Sequence, residues 1–128
     1  MRVLLDTNVL IRALIDPNLL SGATRTALEA PDNDILFSAA SIWEIAIKSV
    51  LGRADFQVPP ERILEAAKDS GFEELPVRSA AALLVATLPP LHRDPFDRLL
   101  VAQAINEPAR LFTTDASLTA YSELVVRV

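Results

Sequence analysis

Acidic side chains near the ends of apolar segments are the feature of this sequence that most suggests chemistry. Asp6 and Asp115 each follow an apolar segment that predicts a β-strand, and Glu44 lies a few residues beyond a third such segment. Asp97 stands near the start of a long apolar segment that predicts a helix. Carboxylate oxygens suit hard cations such as Mg²⁺ or Mn²⁺, which activate water and stabilise the leaving oxygen in phosphodiester cleavage. These four acids are therefore candidates for a catalytic metal site.

The segments that would position these acids alternate between strand and helix patterns. Short apolar runs predict strands at 2–5, 35–37, 73–76, 111–113 and 124–126. Helical patterns, with glycines 52 and 71 as terminators, predict helices at 9–15, 22–30, 42–51, 61–70, 80–88, 95–106 and 117–121. This alternation predicts a mainly parallel sheet of about five strands in a three-layer α/β/α sandwich, within a single domain spanning 1–128. The continuous apolar runs 3–5 and 124–126 are typical of strands covered on both faces.

A parallel sheet would bring most of the candidate acids together. Ligands of open parallel sheets bind beyond the carboxyl ends of the strands, where Asp6, Glu44 and Asp115 are expected. No clear strand precedes Asp97, which joins them only if its helix begins at the same edge. Carboxylates within ~4 to 6 Å raise one another's pKa and destabilise the fold. A bound divalent cation removes that repulsion.

Helix capping is the structural alternative for every one of these acids. Ser41 and Glu44 have the spacing of a capping box, and Asp94 directly before a proline has the pattern of an N-cap. Asp6 and Asp115 would also suit the starts of their helices, where acids are favoured. Capping and metal binding are compatible, so the alternative does not exclude the site.

Composition restricts the possible classes of protein. Hydrophobic residues make up 51 % of the 128 residues, which excludes disorder, and no apolar run is long enough to cross a bilayer. Cysteine is absent, and the apolar start of the chain is too short for a signal peptide, so a cytoplasmic location without membrane contact is expected. The formal charge of −5 argues against passive binding of nucleic acid through a basic surface, but it permits a nuclease with an acidic metal site.

Four short motifs, in order along the chain, resemble those of PIN domains. The motifs share an acid at a fixed place: Leu4-Leu5-Asp6-Thr7-Asn8; Ser41-Ile42-Trp43-Glu44-Ile45 through Lys48 and Gly52; His92-Arg93-Asp94-Pro95-Phe96-Asp97-Arg98 before Ala102-Gln103-Ala104; and Thr113-Thr114-Asp115 with Tyr121 beyond. The third motif is the most specific. The resemblance covers essentially the whole chain from residue 3 onward.

PIN domains of this size resemble the VapC toxins of bacterial toxin–antitoxin pairs. The resemblance implies a parallel sheet flanked by helices and an Mg²⁺- or Mn²⁺-dependent endoribonuclease that acts on RNA. It also implies a homodimer held inactive by a small VapB-like antitoxin. The family's catalytic, metal-binding acids correspond to Asp6, Glu44, Asp97 and Asp115. Asp94 is assigned mainly to capping.

Four further residues are candidates for contact with substrate. Asn8 would orient water or hold the turn after Asp6, and Thr113 (or its neighbour Thr114) would orient Asp6 or a water. Lys48 would contact phosphate, or form the ordinary i, i+4 ion pair with Glu44. Arg98 would contact RNA phosphate, although an ion pair with Asp94 or Asp97 is favoured.

Several residues next to the candidate acids are more simply explained by the fold than by contact with substrate. His92, the sole histidine, is expected to be a loop residue rather than a substrate contact or an acid. Trp43 and Phe96 are expected to pack in the core rather than to stack on bases. Arg53 follows the Glu44 helix as a further possible RNA contact.

Other functions fit the sequence less well. A phosphatase of the haloacid dehalogenase type would need a second aspartate at position 8, where this chain has Asn8, and the adjacent acids of a receiver domain are missing. A PIN-like module that binds protein or RNA without catalysis is the remaining alternative. The presence of all four acids favours the enzyme.

Overall fold

Five parallel strands form one sheet in the computed structural model, which describes residues 1–52 and 58–128. The strands are β1 (Arg2–Leu5), β2 (Asp34–Ser38), β3 (Glu73–Leu75), β4 (Arg110–Thr113) and β5 (Val125–Arg127). They lie in the order β3-β2-β1-β4-β5, and every neighbouring pair is parallel. The predicted parallel sheet of about five strands is confirmed.

Helices connect the strands and cover both faces of the sheet. They are α1 (Thr7–Ile15), α2 (Gly22–Glu29), α3 (Ala39–Val50), α4 (Pro60–Asp69), α5 (Ser79–Val85) and α6 (Pro95–Asn106), with short 3-10 helices at Pro17–Leu19 and Ala116–Tyr121. Among the residues described, no helix combines the length and apolar character needed to span a bilayer.

The core lies in two layers because successive residues of a strand point to opposite faces. Val3 and Leu5 of β1 pack with Ile63 of α4 on one face, whereas Leu4 packs with Leu100 of α6 on the other. All five side chains are almost completely buried. The three-layer sandwich predicted from the alternation of elements is therefore confirmed.

β5 is an edge strand of the sheet, a position that the sequence did not predict. Its two faces are nevertheless covered, as its continuous apolar pattern indicated: buried Val125 belongs to the core cluster of one face, and half-buried Val126 packs against that of the other. Only Arg127 at its end is exposed. The sequence does not contain the strand order that places β5 at the edge.

Helix α3 begins three residues earlier than predicted. The Ser38 Oγ atom accepts a hydrogen bond from the Ala40 backbone N–H at 3.0 Å, which makes Ser38 the N-cap. Ser41 is consequently inside the helix and Glu44 lies in its second turn, so the predicted capping box is wrong. Ser38 ends β2 and caps α3 at once, leaving no loop between them.

Both predicted glycine terminators have the left-handed backbone that ends a helix. Gly52 follows α3 with φ of 68°, and Gly71 follows α4 with φ of 82°. Glycine adopts this region without the steric cost that a Cβ atom imposes. Gly71 turns the chain from α4 into β3 and so helps to set the length of that connection.

A buried polar pair joins the sheet to α6. Ser38 Oγ donates to Gln103 Oε1 at 2.6 Å, and Gln103 Nε2 donates to the Pro76 carbonyl at 3.3 Å. Gln103 is 2 % exposed, so its amide depends on these partners. The pair fixes α6, which carries Asp97, against the ends of β2 and β3.

Replacing Ser38 with alanine tests this connection. Ser38→Ala removes an N-cap and the donor to a buried amide oxygen, which should lower the free energy of unfolding by about 1 to 3 kcal/mol. Urea denaturation followed by circular dichroism measures the loss. Ser79→Ala is the matched control, because Ser79 is exposed at the start of α5 and should change stability by less than about 0.5 kcal/mol. Equal effects of the two substitutions would refute the proposed role of Ser38.

Candidate active site

Asp6 lies at the carboxyl end of β1, beside the place where the strand order reverses. It is 4 % exposed and is the N-cap of α1, with Oδ1 accepting from the Val9 N–H at 2.8 Å. Its Oδ2 atom accepts from the Thr113 hydroxyl at 2.5 Å. Burial raises the pKa of Asp6, although these hydrogen bonds oppose the rise. The predicted cap is confirmed, and the same carboxylate is held in a defined orientation.

Thr113 connects Asp6 to Asp115. Its hydroxyl donates to Asp6 and accepts from the Asp115 backbone N–H at 3.0 Å. The suggestion that a threonine near the fourth acid orients Asp6 is therefore supported by a direct hydrogen bond. Thr113 is fully buried, so its predicted contact with substrate is corrected to a positioning role.

Glu44 is held on α3 by two side chains. It is 5 % exposed, and its Oε1 atom accepts from the Thr7 hydroxyl at 2.7 Å. Its Oε2 atom lies 2.6 Å from Lys48 Nζ, one helical turn later. The predicted i, i+4 ion pair is confirmed, but it is largely buried instead of exposed, since only 22 % of the lysine side chain is accessible. Thr7 was not singled out from the sequence, although its place beside Asp6 in the first motif was the available signal.

Helix α6 begins at the same edge of the sheet. Asp94 is its N-cap, accepting from the Phe96 and Asp97 N–H groups at 2.8 and 3.2 Å, as predicted. Asp97 therefore projects from the first turn toward the end of β1. A cleft of about 120 Å³ is lined there by Asp6, Thr7, Asn8, Glu44, Lys48, Asp94 and Asp97. Three of the four predicted acids share this cleft.

The charges in the cleft act on Asp97. Its pKa is raised to about 7, mainly by burial and further by the negative charges of Asp94, Asp6 and Glu44. His92 opposes the rise. A half-buried carboxylate with like charges around it is stabilised by a proton or by a cation. This electrostatic arrangement is typical of functional sites.

Asp115, the fourth predicted acid, lies beside the cleft without lining it. It caps the 3-10 helix by accepting from the Ser117 N–H at 2.9 Å, as the capping alternative predicted. The hydrogen bonds from Ser117 and His92 lower the pKa of Asp115. Asp115 is connected to the other acids by its hydrogen bonds with Thr113 and His92.

His92 is more closely involved than the sequence analysis expected. It lies in a loop, as predicted, but its Nε2 atom is 2.9 Å from Asp115 Oδ2 and 3.8 Å from Asp97 Oδ2. Its Nδ1 atom accepts from the Asp94 N–H at 3.1 Å, so in the neutral ring Nε2 carries the proton and donates to Asp115. Ligand atoms of His92, Asp97 and Asp115 lie within 4.8 Å of one another. The position of His92 in the most specific motif was the signal for this contact.

Of the remaining candidates for substrate contact, one is accessible in the cleft and another is occupied by contacts within the protein. Asn8 is exposed and lines the cleft, where its amide is accessible to a substrate. Arg98 donates from Nη2 to the Val85 and Leu88 carbonyls, each at 3.1 Å, at the end of α5. The favoured ion pair with Asp94 or Asp97 is thus replaced by contacts to the backbone. Arg53 falls outside the described residues.

Trp43 corrects another prediction. Core packing was expected, but its side chain is 61 % exposed. The ring meets that of half-buried Phe96 in an edge-to-face contact, with centroids 5.3 Å apart and planes inclined at 72°. Glu44 and Ile45 lie on the buried face of α3, and residue 43 lies on its exposed face.

Replacing Asp97 with asparagine tests the electrostatics of the metal-free cleft. An acid whose folded-state pKa exceeds its unfolded value lowers stability as the pH rises between the two values, here from about 4 to about 7. Asp97→Asn should therefore raise the free energy of unfolding at pH 8 by about 1 to 3 kcal/mol and weaken that decline. Denaturation in EDTA at a series of pH values measures both effects.

A matched control separates the cleft from a general charge effect. Asp32→Asn removes an equal charge from an exposed turn outside the cleft, and it should leave the decline between pH 4 and 7 intact. At pH 3, where Asp97 is protonated, Asp97→Asn should match the unaltered protein. A stability gain for Asp97→Asn that is independent of pH would show that the buried charge of Asp97 is not its cause.

Solved structures with this fold include two from bacterial proteins. VapBC2 from Rickettsia felis, in a crystal structure bound to a DNA fragment from its promoter, has a TM-score of 0.73 at 19 % identity and covers 100 % of this chain and 98 % of that chain. FitAcB from Neisseria gonorrhoeae has a TM-score of 0.62 at 18 % identity, covering 98 % of this chain and 95 % of that chain. At these identities the similarity establishes the fold alone. No curated protein sequence matches the chain.

The sequence itself matches a family profile. The profile of the PIN domain aligns with residues 3–124, which is nearly the whole chain and includes all four candidate acids. PIN domains are generally nucleases, and the parallel sheet with acids at its carboxyl edge agrees with the match. The chain therefore belongs to the PIN domain family.

Proposed function

We propose that this protein is a metal-dependent endoribonuclease. The observation that carries the proposal is the convergence of Asp6, Glu44 and Asp97 on one polar cleft. These acids come from three separate elements, so their meeting is a product of the tertiary fold. Asp115 completes the set through its contacts with Thr113 and His92.

The residues of the cleft fit a hard divalent cation. Asp6, Glu44 and Asp97 supply carboxylate oxygens, the donors that Mg²⁺ and Mn²⁺ prefer. Burial and the neighbouring acids raise the pKa of Asp97, so a bound cation would stabilise its charged form. Asp115 has a carboxylate oxygen within 4.8 Å of one of Asp97, so all four acids would hold the ion. When bound, such an ion supplies an activated water and neutralises charge on the phosphate.

The protein's own hydrogen bonds prepare the cleft for this role. Thr113 and the Val9 N–H each engage one oxygen of Asp6, while Thr7 and Lys48 each engage one oxygen of Glu44. Ligands held in this way lose little freedom when a cation binds, which favours binding. The exposed amide of Asn8 supports a further role in contact with the substrate.

The proposed biological role is that of a VapC-like toxin. Its support is the family match together with the fold shared with Rickettsia felis VapBC2. We infer a small VapB-like antitoxin as partner, a homodimeric assembly and a cytoplasmic site of action on RNA. The alternative is a PIN-like module that binds RNA or protein without cleaving. The presence of all four acids favours the enzyme. Each of Asp6, Glu44 and Asp115 accepts hydrogen bonds that orient it, and Asp97 lines the cleft.

Cleavage of RNA by the purified, partner-free protein tests the chemistry. With Mn²⁺ or Mg²⁺ it should cut single-stranded and structured RNA, and EDTA should stop the reaction. Asp97→Asn should lose about 100-fold or more of the activity, because the metal and its water lose a ligand. Asp32→Asn, an equal change of charge outside the cleft, should cut like the unaltered protein. Undiminished cutting by Asp97→Asn would disprove the assignment.

Thermal unfolding provides a second readout that does not depend on catalysis. Mn²⁺ should raise the melting temperature of the unaltered protein, since a ligand that binds only the folded state stabilises it. The rise should be smaller for Asp97→Asn and unchanged for Asp32→Asn. Stabilisation by metal without any cleavage of a broad RNA pool would favour the binding module.

Native mass spectrometry tests the proposed partner and assembly. The protein alone should form a dimer of the 13.9 kDa chain. Mixed with the small protein encoded beside its gene, it should form a stable complex in which metal-dependent cleavage is suppressed. A monomer that is indifferent to the neighbouring protein would argue against the toxin role while leaving the nuclease chemistry intact.

A further inference from the structure

Trp43 presents an exposed aromatic surface next in sequence to an acid of the candidate active site. It immediately precedes Glu44 on α3, and its partner Phe96 immediately precedes Asp97 on α6. The aromatic pair therefore joins the two helices that carry two of the cleft acids. Tryptophan combines a large apolar ring with a polar N–H group and is enriched at binding interfaces, so an exposed tryptophan beside these helices is a candidate for ligand contact.

The contact with Phe96 holds the indole ring in place without covering it. Edge-to-face contacts with centroids about 4.5 to 7 Å apart are favourable, and this pair falls within that range at 5.3 Å. Phe96 is itself half-buried at the start of α6, which anchors the pair to the fold. With 61 % of the residue still accessible, much of the ring surface is open to a planar ligand.

The charge of the protein favours a nucleobase as that ligand. The chain carries a net charge of −5, and the cleft contains four acids. The cation that lines it, Lys48, is engaged with Glu44. Electrostatic attraction to phosphates is therefore a weak source of affinity here. Stacking of bases on aromatic side chains contributes about 1 to 3 kcal/mol per base and does not require a basic surface.

We propose that Trp43 stacks on a base of the RNA substrate and positions the adjoining phosphate at the cleft. The inference rests on the proposed ribonuclease function and adds a positioning residue to it. Because every base has a π-face, stacking of this kind accommodates different sequences, and it requires an unpaired base that can leave its helix.

Fluorescence tests the contact directly, because Trp43 is the single tryptophan of the chain. A short oligoribonucleotide titrated into Asp97→Asn protein with Mg²⁺ present, where cutting is prevented, should cause a saturable loss of tryptophan emission. An oligomer of equal length without bases should leave the emission unchanged. Equal loss of emission with both oligomers would overturn the proposal, since it would place the effect on the phosphate backbone.

Kinetics of Trp43 variants distinguish stacking from a structural role. Trp43→Ala should raise KM about 5- to 100-fold while changing kcat by less than about 3-fold, as expected for the loss of one stacked base. Trp43→Phe should restore most of the affinity, because a phenyl ring also stacks. Leu83→Ala is the matched control: Leu83 is 73 % exposed on α5, and its truncation should leave KM unchanged.

The two experiments separate this inference from the proposed function. Efficient cleavage by the unaltered protein, with the same KM in Trp43→Ala, would overturn the role of Trp43 and leave the ribonuclease standing. Base-dependent loss of emission without cleavage would support the stacking site and reject the catalytic proposal. A change of emission that occurs only with a protein partner, with no response to either oligomer, would assign the surface to protein contact and overturn the inference.

Discussion

The parallel pairing of β1 with β4 is the constraint on which the candidate site depends. The chain leaves β1 in one direction to build β2 and β3, then returns to the other side of β1 to build β4 and β5. The strand order therefore reverses between β1 and β4, where neither connecting helix closes the edge of the sheet. Asp6 and Thr113 stand at this point, and the hydrogen bond between them joins the two strand ends. The cleft opens beside this junction.

The acids in and beside the cleft contribute both to the stability of the fold and to the proposed chemistry. Asp6 caps α1, Asp94 caps α6 and Asp115 caps the short 3-10 helix, so each contributes to local stability. Their hydrogen bonds also fix the direction in which the carboxylates point. Burial, together with the negative charges of Asp94, Asp6 and Glu44, raises the pKa of Asp97 to about 7. A partly buried carboxylate among like charges is stabilised by a cation that arrives from solvent.

The surroundings of the cleft divide into rigid and accessible parts. Thr113 and Ser38 are fully buried and hold the acids and helix α6 from beneath. Asn8 and Trp43 are exposed on the outer side, where a substrate could reach them. Buried side chains that hold the acids in place, with accessible side chains beside them, allow a flexible polymer to bind without rearrangement of the site.

Local sequence patterns were sufficient to predict most of the secondary structure and the candidate acids. The apolar runs, terminating glycines and capping acids predicted the elements of the sheet and helices closely, because these features act within a few residues. The four acids were identified for the same reason: each follows or begins an element that the pattern marks. The start of α3 was misplaced because two serines, Ser38 and Ser41, both suit an N-cap, and the choice depends on the buried contact with Gln103.

Tertiary structure alone decided which of these residues meet. The strand order placed β5 at an edge and β1 beside β4, and nothing local in the sequence encodes it. Contacts between residues far apart in the chain then fixed the roles of individual side chains. They brought His92 to Asp115, turned Arg98 to backbone carbonyls at and just beyond the end of α5, and left Trp43 exposed beside Phe96. Periodicity identifies which face of a helix is apolar. Whether a side chain on that face is buried depends on which element packs against it in the folded protein.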